Sequence, residues 1–171
     1  MFEALITWLL SNFGLFMLIT AVLFSMVEWV IHKKVSTAEI FFRWVMLLAV
    51  GVTGIYAFIF HAFFPAVSAA TIGWQVSPFQ FEVAIADLAL GVLGILSFGS
   101  SYGFRRATII FATILLWGDA AGHLYQIIKF HNYANGNAGS WFWMDIILPL
   151  ILIICILKIR PKQYTPLFQT V

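Results

Sequence analysis

Five apolar runs, at about 5–31, 40–64, 79–98, 107–130 and 141–158, occupy most of this chain. Each falls in the length range that crosses the ~30 Å hydrocarbon core of a bilayer at ~1.5 Å rise per residue. No water reaches backbone amides and carbonyls there, so such segments close their hydrogen bonds internally as α-helices. Composition agrees: 63% of residues are hydrophobic and 9% charged, against the roughly 25% charge of a soluble domain. The expected fold is all-α, an integral membrane bundle of five transmembrane helices forming one domain over residues 1–171.

Placement of charge predicts the topology. Lys33, Lys34, Arg43, Arg105, Arg106, Lys158, Arg160 and Lys162 fall on one side of the five runs and only Lys129 on the other. By the positive-inside rule the N-terminus is then outside and the C-terminus cytoplasmic, in a multi-pass cell membrane. Trp74, Trp141 and Trp143 fit an outer aromatic belt, with Trp8, Trp29 and Trp44 at other span ends. The first run is too long for a signal-peptide core and lacks a basic leader and small-residue cleavage site, so it reads as a retained span. A lone Cys155 supports neither a disulfide framework nor a paired-cysteine motif within one chain, and no basic run marks a nucleic-acid surface. The lipid bilayer is the expected surrounding. A small-molecule substrate, a second copy and a membrane partner all stay open.

The outer connection after Pro65, from Ala66 to Val76, is uncharged and rich in small or apolar residues, which predicts a lid folded back on the bundle. Ser77, Pro78 and Gln80 have the order of a capping box at the start of the third span. Asn132 to Ser140 reads as a tight ordered turn.

His61, Glu82, Asp87, Asp119, His123 and Asp145 lie within apolar runs, and chain polarity brings them toward one side of the membrane. Charge in hydrocarbon is costly unless paired, protonated or bound to an ion, so these six form the candidate site. His61, Glu82, His123 and Asp145 are expected at a shallow depth, with Asp87 and Asp119 deeper. Asp119 and His123 share a helix face with Gly122 and Gln126, and Gly118 with Gly122 has the spacing of close helix approach. Asp87 aligns with Ala84, Gly91 and Gly94; Glu82 with Ala86 and Ala89; His61 with Ala57 and Gly54. Pro149 removes the amide hydrogen that would reach the Asp145 carbonyl, leaving that oxygen able to accept.

Three readings of this set stand side by side. Two imidazoles and several carboxylates from separate helices are ligand types used for a divalent transition metal (iron, manganese or zinc), with His61, Glu82, Asp119, His123 and Asp145 as ligands in a metal-dependent membrane enzyme. The same groups at two depths could relay protons or ions, with Asp87 and Asp119 as the deeper acceptors. A non-catalytic membrane subunit would use them as polar glue between helices, Asp119 pairing with His123. Glu-x-x-His, HExxH, phosphate-loop, dinucleotide and nucleophile-elbow patterns are absent from the sequence. Ser25, Glu28 and His32 form a smaller polar stripe, expected to be satisfied by Lys33 or Arg43.

The segments GWQVSPFQFEV, from Gly73, and GDAAGHLYQIIKFHNYANGNAG, from Gly118, resemble an uncharacterised family of small prokaryotic multi-pass membrane proteins. The resemblance implies a four- or five-helix membrane protein whose outer motifs include Glu82, His123 and the Asn135 to Gly139 turn. It implies no reaction.

Overall fold

The computed structural model describes residues 8–32 and 34–159. The start of the first expected span, Lys33, Arg160 and Lys162 fall outside them. Helix α1 covers Phe13–Ile31, α2 Thr37–Trp44, a π-helix Val45–Val52, α3 Thr53–Phe63 and α4 Pro65–Ile72. Then follow α5 (Phe79–Ser97), α6 (Tyr102–Phe130), the single turn α7 (Asn135–Ala138) and α8 (Ser140–Lys158). No strand occurs among the described residues. Five stretches are long and apolar enough to cross a membrane: α1, α2 through α3, α5, α6, and α7 with α8. That is the pattern of a multi-pass membrane protein.

Glycine sets the closest packing. A Cβ added at Gly54 would lie 2.7 Å from backbone atoms of Gly91, and one at Gly94 would lie 2.6 Å from the amide nitrogen of Gly51. Neither contact leaves room for a side chain, so the second and third spans touch backbone to backbone along Gly51, Gly54, Gly91 and Gly94. Lipid tails are as apolar as leucine, and such dispersion-rich contact drives association where water exclusion cannot. Gly51 belongs to the π-helical stretch, whose wider turn brings Val45, Met46, Ala49 and Val50 into the core beside it.

The core fills the end of the bundle away from the candidate site, where Phe42, Val45, Met46, Ile109, Ala112, Leu152 and Ile156 pack together. There Arg105 is 1% exposed and fully engaged. Its Nε donates to the Ser97 carbonyl at 2.8 Å and Nη2 to the Phe98 carbonyl at 2.7 Å. Its Nη1 donates to both Glu39 carboxylate oxygens, at 2.7 and 2.8 Å, while the guanidinium lies over the Phe42 ring. One arginine therefore satisfies the final carbonyls of α5, ties them to α2, and anchors α6, on which it sits. Glu28 pairs with Arg43, as expected of that member of the smaller polar stripe, and accepts from Trp44 Nε1 at 2.6 Å, whereas Ser25 donates to the Ala21 carbonyl of its own helix.

Three local expectations change. The lid is helical, as α4, with its own Ser68 and Ala69 buried and Gly73 ending it in a left-handed conformation at φ 76°. No capping box forms at the start of α5. Pro78 occupies the cap position, and Gln80 Nε2 instead donates to the Pro65 carbonyl at 2.9 Å, tying α5 to the start of the lid. Gly118 and Gly122 do not bring helices together, since a Cβ at either meets nothing within 4 Å. The close approach belongs to the other glycine set.

Gly54→Leu or Gly94→Val is expected to destabilise the bundle by ~1–3 kcal/mol or more through overpacking. Gly118→Ala should be neutral or slightly stabilising. Thermal unfolding in detergent, followed by helical circular dichroism, separates the two outcomes.

Candidate functional site

The end opposite the core is hollow. A cavity of about 420 Å³ lies between the spans there, floored by Ala49, Val50, Leu90 and Leu148 and roofed by Val67, Ser68, Thr71 and Ile72 of α4. Its walls carry His61 from α3, Asp87 from α5, Asp119 and His123 from α6, and Asp145 from α8. Five of the six expected residues thus converge on one space. Asp87, Asp119 and Asp145 lie close enough to feel one another's charge.

Glu82 does not join them. It is exposed and stands outside the cavity lining. The reason is helical phase: five residues along an α-helix turn through ~500°, so Glu82 points ~140° away from Asp87. Both had been expected to face the bundle, yet only the Asp87 stripe packs toward α3.

His123 is held in a defined way. Its Nδ1 lies 2.8 Å from Asn137 Oδ1, and Asn137, fully buried, spends its amide hydrogens on the carbonyls of Asn132 at 2.9 Å and His123 at 3.3 Å. The Asn137 oxygen must therefore accept, and Nδ1 carries the hydrogen. Nε2 faces Asp145 Oδ2 at 3.8 Å, too far for a hydrogen bond, and the Trp74 ring lies against the imidazole with centroids 5.5 Å apart. The expected Asp119–His123 pair does not form. Among the described residues, neither Asp87 nor Asp119 makes a side-chain hydrogen bond or ion pair, and buried His61 Nδ1 has no partner.

The remaining walls are aromatic: Tyr56, Phe60, Trp74 and Trp141 all line the space. Tyr56 stacks on Phe13 with centroids 4.1 Å apart and donates to the Leu10 carbonyl at 2.9 Å, which fixes its ring. Trp74 and Trp141 therefore serve the cavity as well as marking span ends. Among the described residues, no lysine or arginine lines it.

The expected metal set is not assembled. No three His, Cys, Asp or Glu among the described residues stand close enough to share an ion, and Glu82 is outside. Sequence reasoning missed Asn137, Trp74, Trp141 and Tyr56. The contact of Asn137 with His123 crosses a chain reversal, so no helical spacing could reveal it; the GNAG run was its one visible trace. Asn132, four residues before that run, donates to the Ile72 carbonyl at 2.9 Å and fastens the end of α4.

The profile of a family of unknown function, DUF6790, matches residues 11–164. The chain belongs to this family. No curated protein and no solved structure matches it.

Asn137→Ala should lower stability by ~1–3 kcal/mol, since it strands buried hydrogen-bonding groups. Nitrogen NMR of the neutral His123 ring is expected to show the Nδ1–H tautomer in the native chain and a mixture of tautomers in the variant.

Proposed function

We propose that this chain is a proton- or cation-handling membrane protein, a carrier or relay whose working part is the roofed cavity. The observation that carries the reading is convergence: Asp87, Asp119 and Asp145, from three different helices, face one roofed space together with His61 and His123. Buried ionisable groups in a bundle are costly unless something neutralises them. A cavity with three carboxyls and, among the described residues, no lysine or arginine attracts protons or cations and repels anions.

In this reading Asp119 and Asp145 receive the cation beneath the lid and Asp87, opposite on α5, passes charge inward. His123, with Nδ1 committed to Asn137, works through Nε2 alone, aimed at Asp145. Tautomer control of this kind gives an imidazole one direction of exchange. The basic bias of the far end supports placing the cavity in the outer half of a prokaryotic inner membrane, with N-terminus outside and C-terminus cytoplasmic.

In proteoliposomes holding a trapped pH dye, the native protein should pass protons down an imposed gradient, and Asp87→Asn or Asp119→Asn should each slow this at least ~tenfold, as loss of an essential proton-transfer group does. Flux should survive chelators, and element analysis should find less than one transition metal per chain. Infrared difference spectra between two pH values should contain carboxyl bands that vanish one at a time in the two variants. Unchanged flux and unchanged bands in both would sink the reading. Stoichiometric metal lost on His123→Ala would transfer support to the metal-dependent enzyme.

A further inference from the structure

The spans pack around the cavity unevenly. Helix α5 packs along α3 and the π-helix and also against α6, α1 along the π-helix and α2, α8 against α1 and α2, and α6 along α8. Between α5 and α6 the side-chain bonds lie at the core end, where Ser97 donates to Thr108 at 3.2 Å and Arg105 reaches the Ser97 and Phe98 carbonyls. At the cavity end α6 presents Gly118 and Gly122, where an added Cβ meets nothing within 4 Å. Gly118 on α6 and Val83 on α5 are each exposed and yet line the cavity. The side-chain bonds pin the two helices at the core end, and at the cavity end the bare Gly118 and Gly122 leave a parting in the wall.

The parting lies within the spans, below the α4 roof, so it faces the membrane interior. We infer that the cavity is loaded sideways from the bilayer through the α5–α6 cleft, and that its ligand is a lipophilic organic cation, an ammonium-type charge on an apolar or aromatic body. This rests on the cation-handling reading above and names its substrate class. Three further features point the same way. The volume, about 420 Å³, is that of a small-molecule site. The walls and floor are mostly apolar, with Tyr56, Phe60, Trp74 and Trp141 offering ring faces to a cation. Asp119 sits beside Gly118 at the cleft, where an arriving charge meets its first carboxylate.

Tetraphenylphosphonium, a membrane-permeant cation, and tetraethylammonium, a water-soluble one, serve as probes in equilibrium dialysis against protein in nanodiscs. Saturable binding of the first, at least ~tenfold tighter than the second, is expected, with a loss of ~tenfold or more in Asp119→Asn. Gly118→Leu, which has room to fold, should block the cleft and abolish loading of tetraphenylphosphonium while leaving the carboxyl infrared bands in place. Equal binding of both probes, or binding that Gly118→Leu leaves untouched, overturns sideways loading. Carboxyl bands that respond to pH without any tetraphenylphosphonium binding overturn the substrate class and leave proton handling standing; loss of both defeats the two together.

Discussion

Backbone contact between the second and third spans governs the rest of this molecule. Gly51, Gly54, Gly91 and Gly94 let two helices meet without side chains between them, and His61 and Asp87 ride on those same helices, within two turns of the contact. Their separation across the cavity is therefore set by main-chain geometry, which side-chain motion cannot relax. The π-helical stretch reinforces this, because its extra residue per turn re-aims α3 relative to α2 while its own buried face completes the core.

The bundle divides into two regimes along its length. One end is dense and its buried charges are paired among the described residues: Arg105 with Glu39 and two carbonyls, Glu28 with Arg43 and Trp44. The other end gathers carboxyls and imidazoles around open space, with His123 alone fastened, by Asn137. The dense end holds the helices together, and the hollow end is where the proposed cation handling would take place.

Much of this was legible in the residues. Apolar run length and the lack of water in hydrocarbon gave five helices with boundaries close to those found, and chain polarity gathered five of six ionisable groups. What could not be read is tertiary. Glu82 lies outside because helical phase relative to α3 decides its direction, and phase matters only once a partner helix is known. The Gly118/Gly122 pair and the Gly51/Gly54/Gly91/Gly94 set look alike in one dimension; only neighbours distinguish a contact from an opening. Gln80 left its expected cap because proline at the cap position has no amide hydrogen for Oε1 to accept, and Nε2 reaches the Pro65 carbonyl, fifteen residues away, instead.

The roof carries a mechanical implication. Its first residue is gripped by Gln80 of α5 and its last by Asn132, just beyond α6, so α4 spans the top of the parting like a tie-rod between the two helices that flank it. Any spreading of those helices must pull on both fastenings at once. Entry from the side and uncovering from above are then strokes of a single linkage, and two amide side chains set its stiffness.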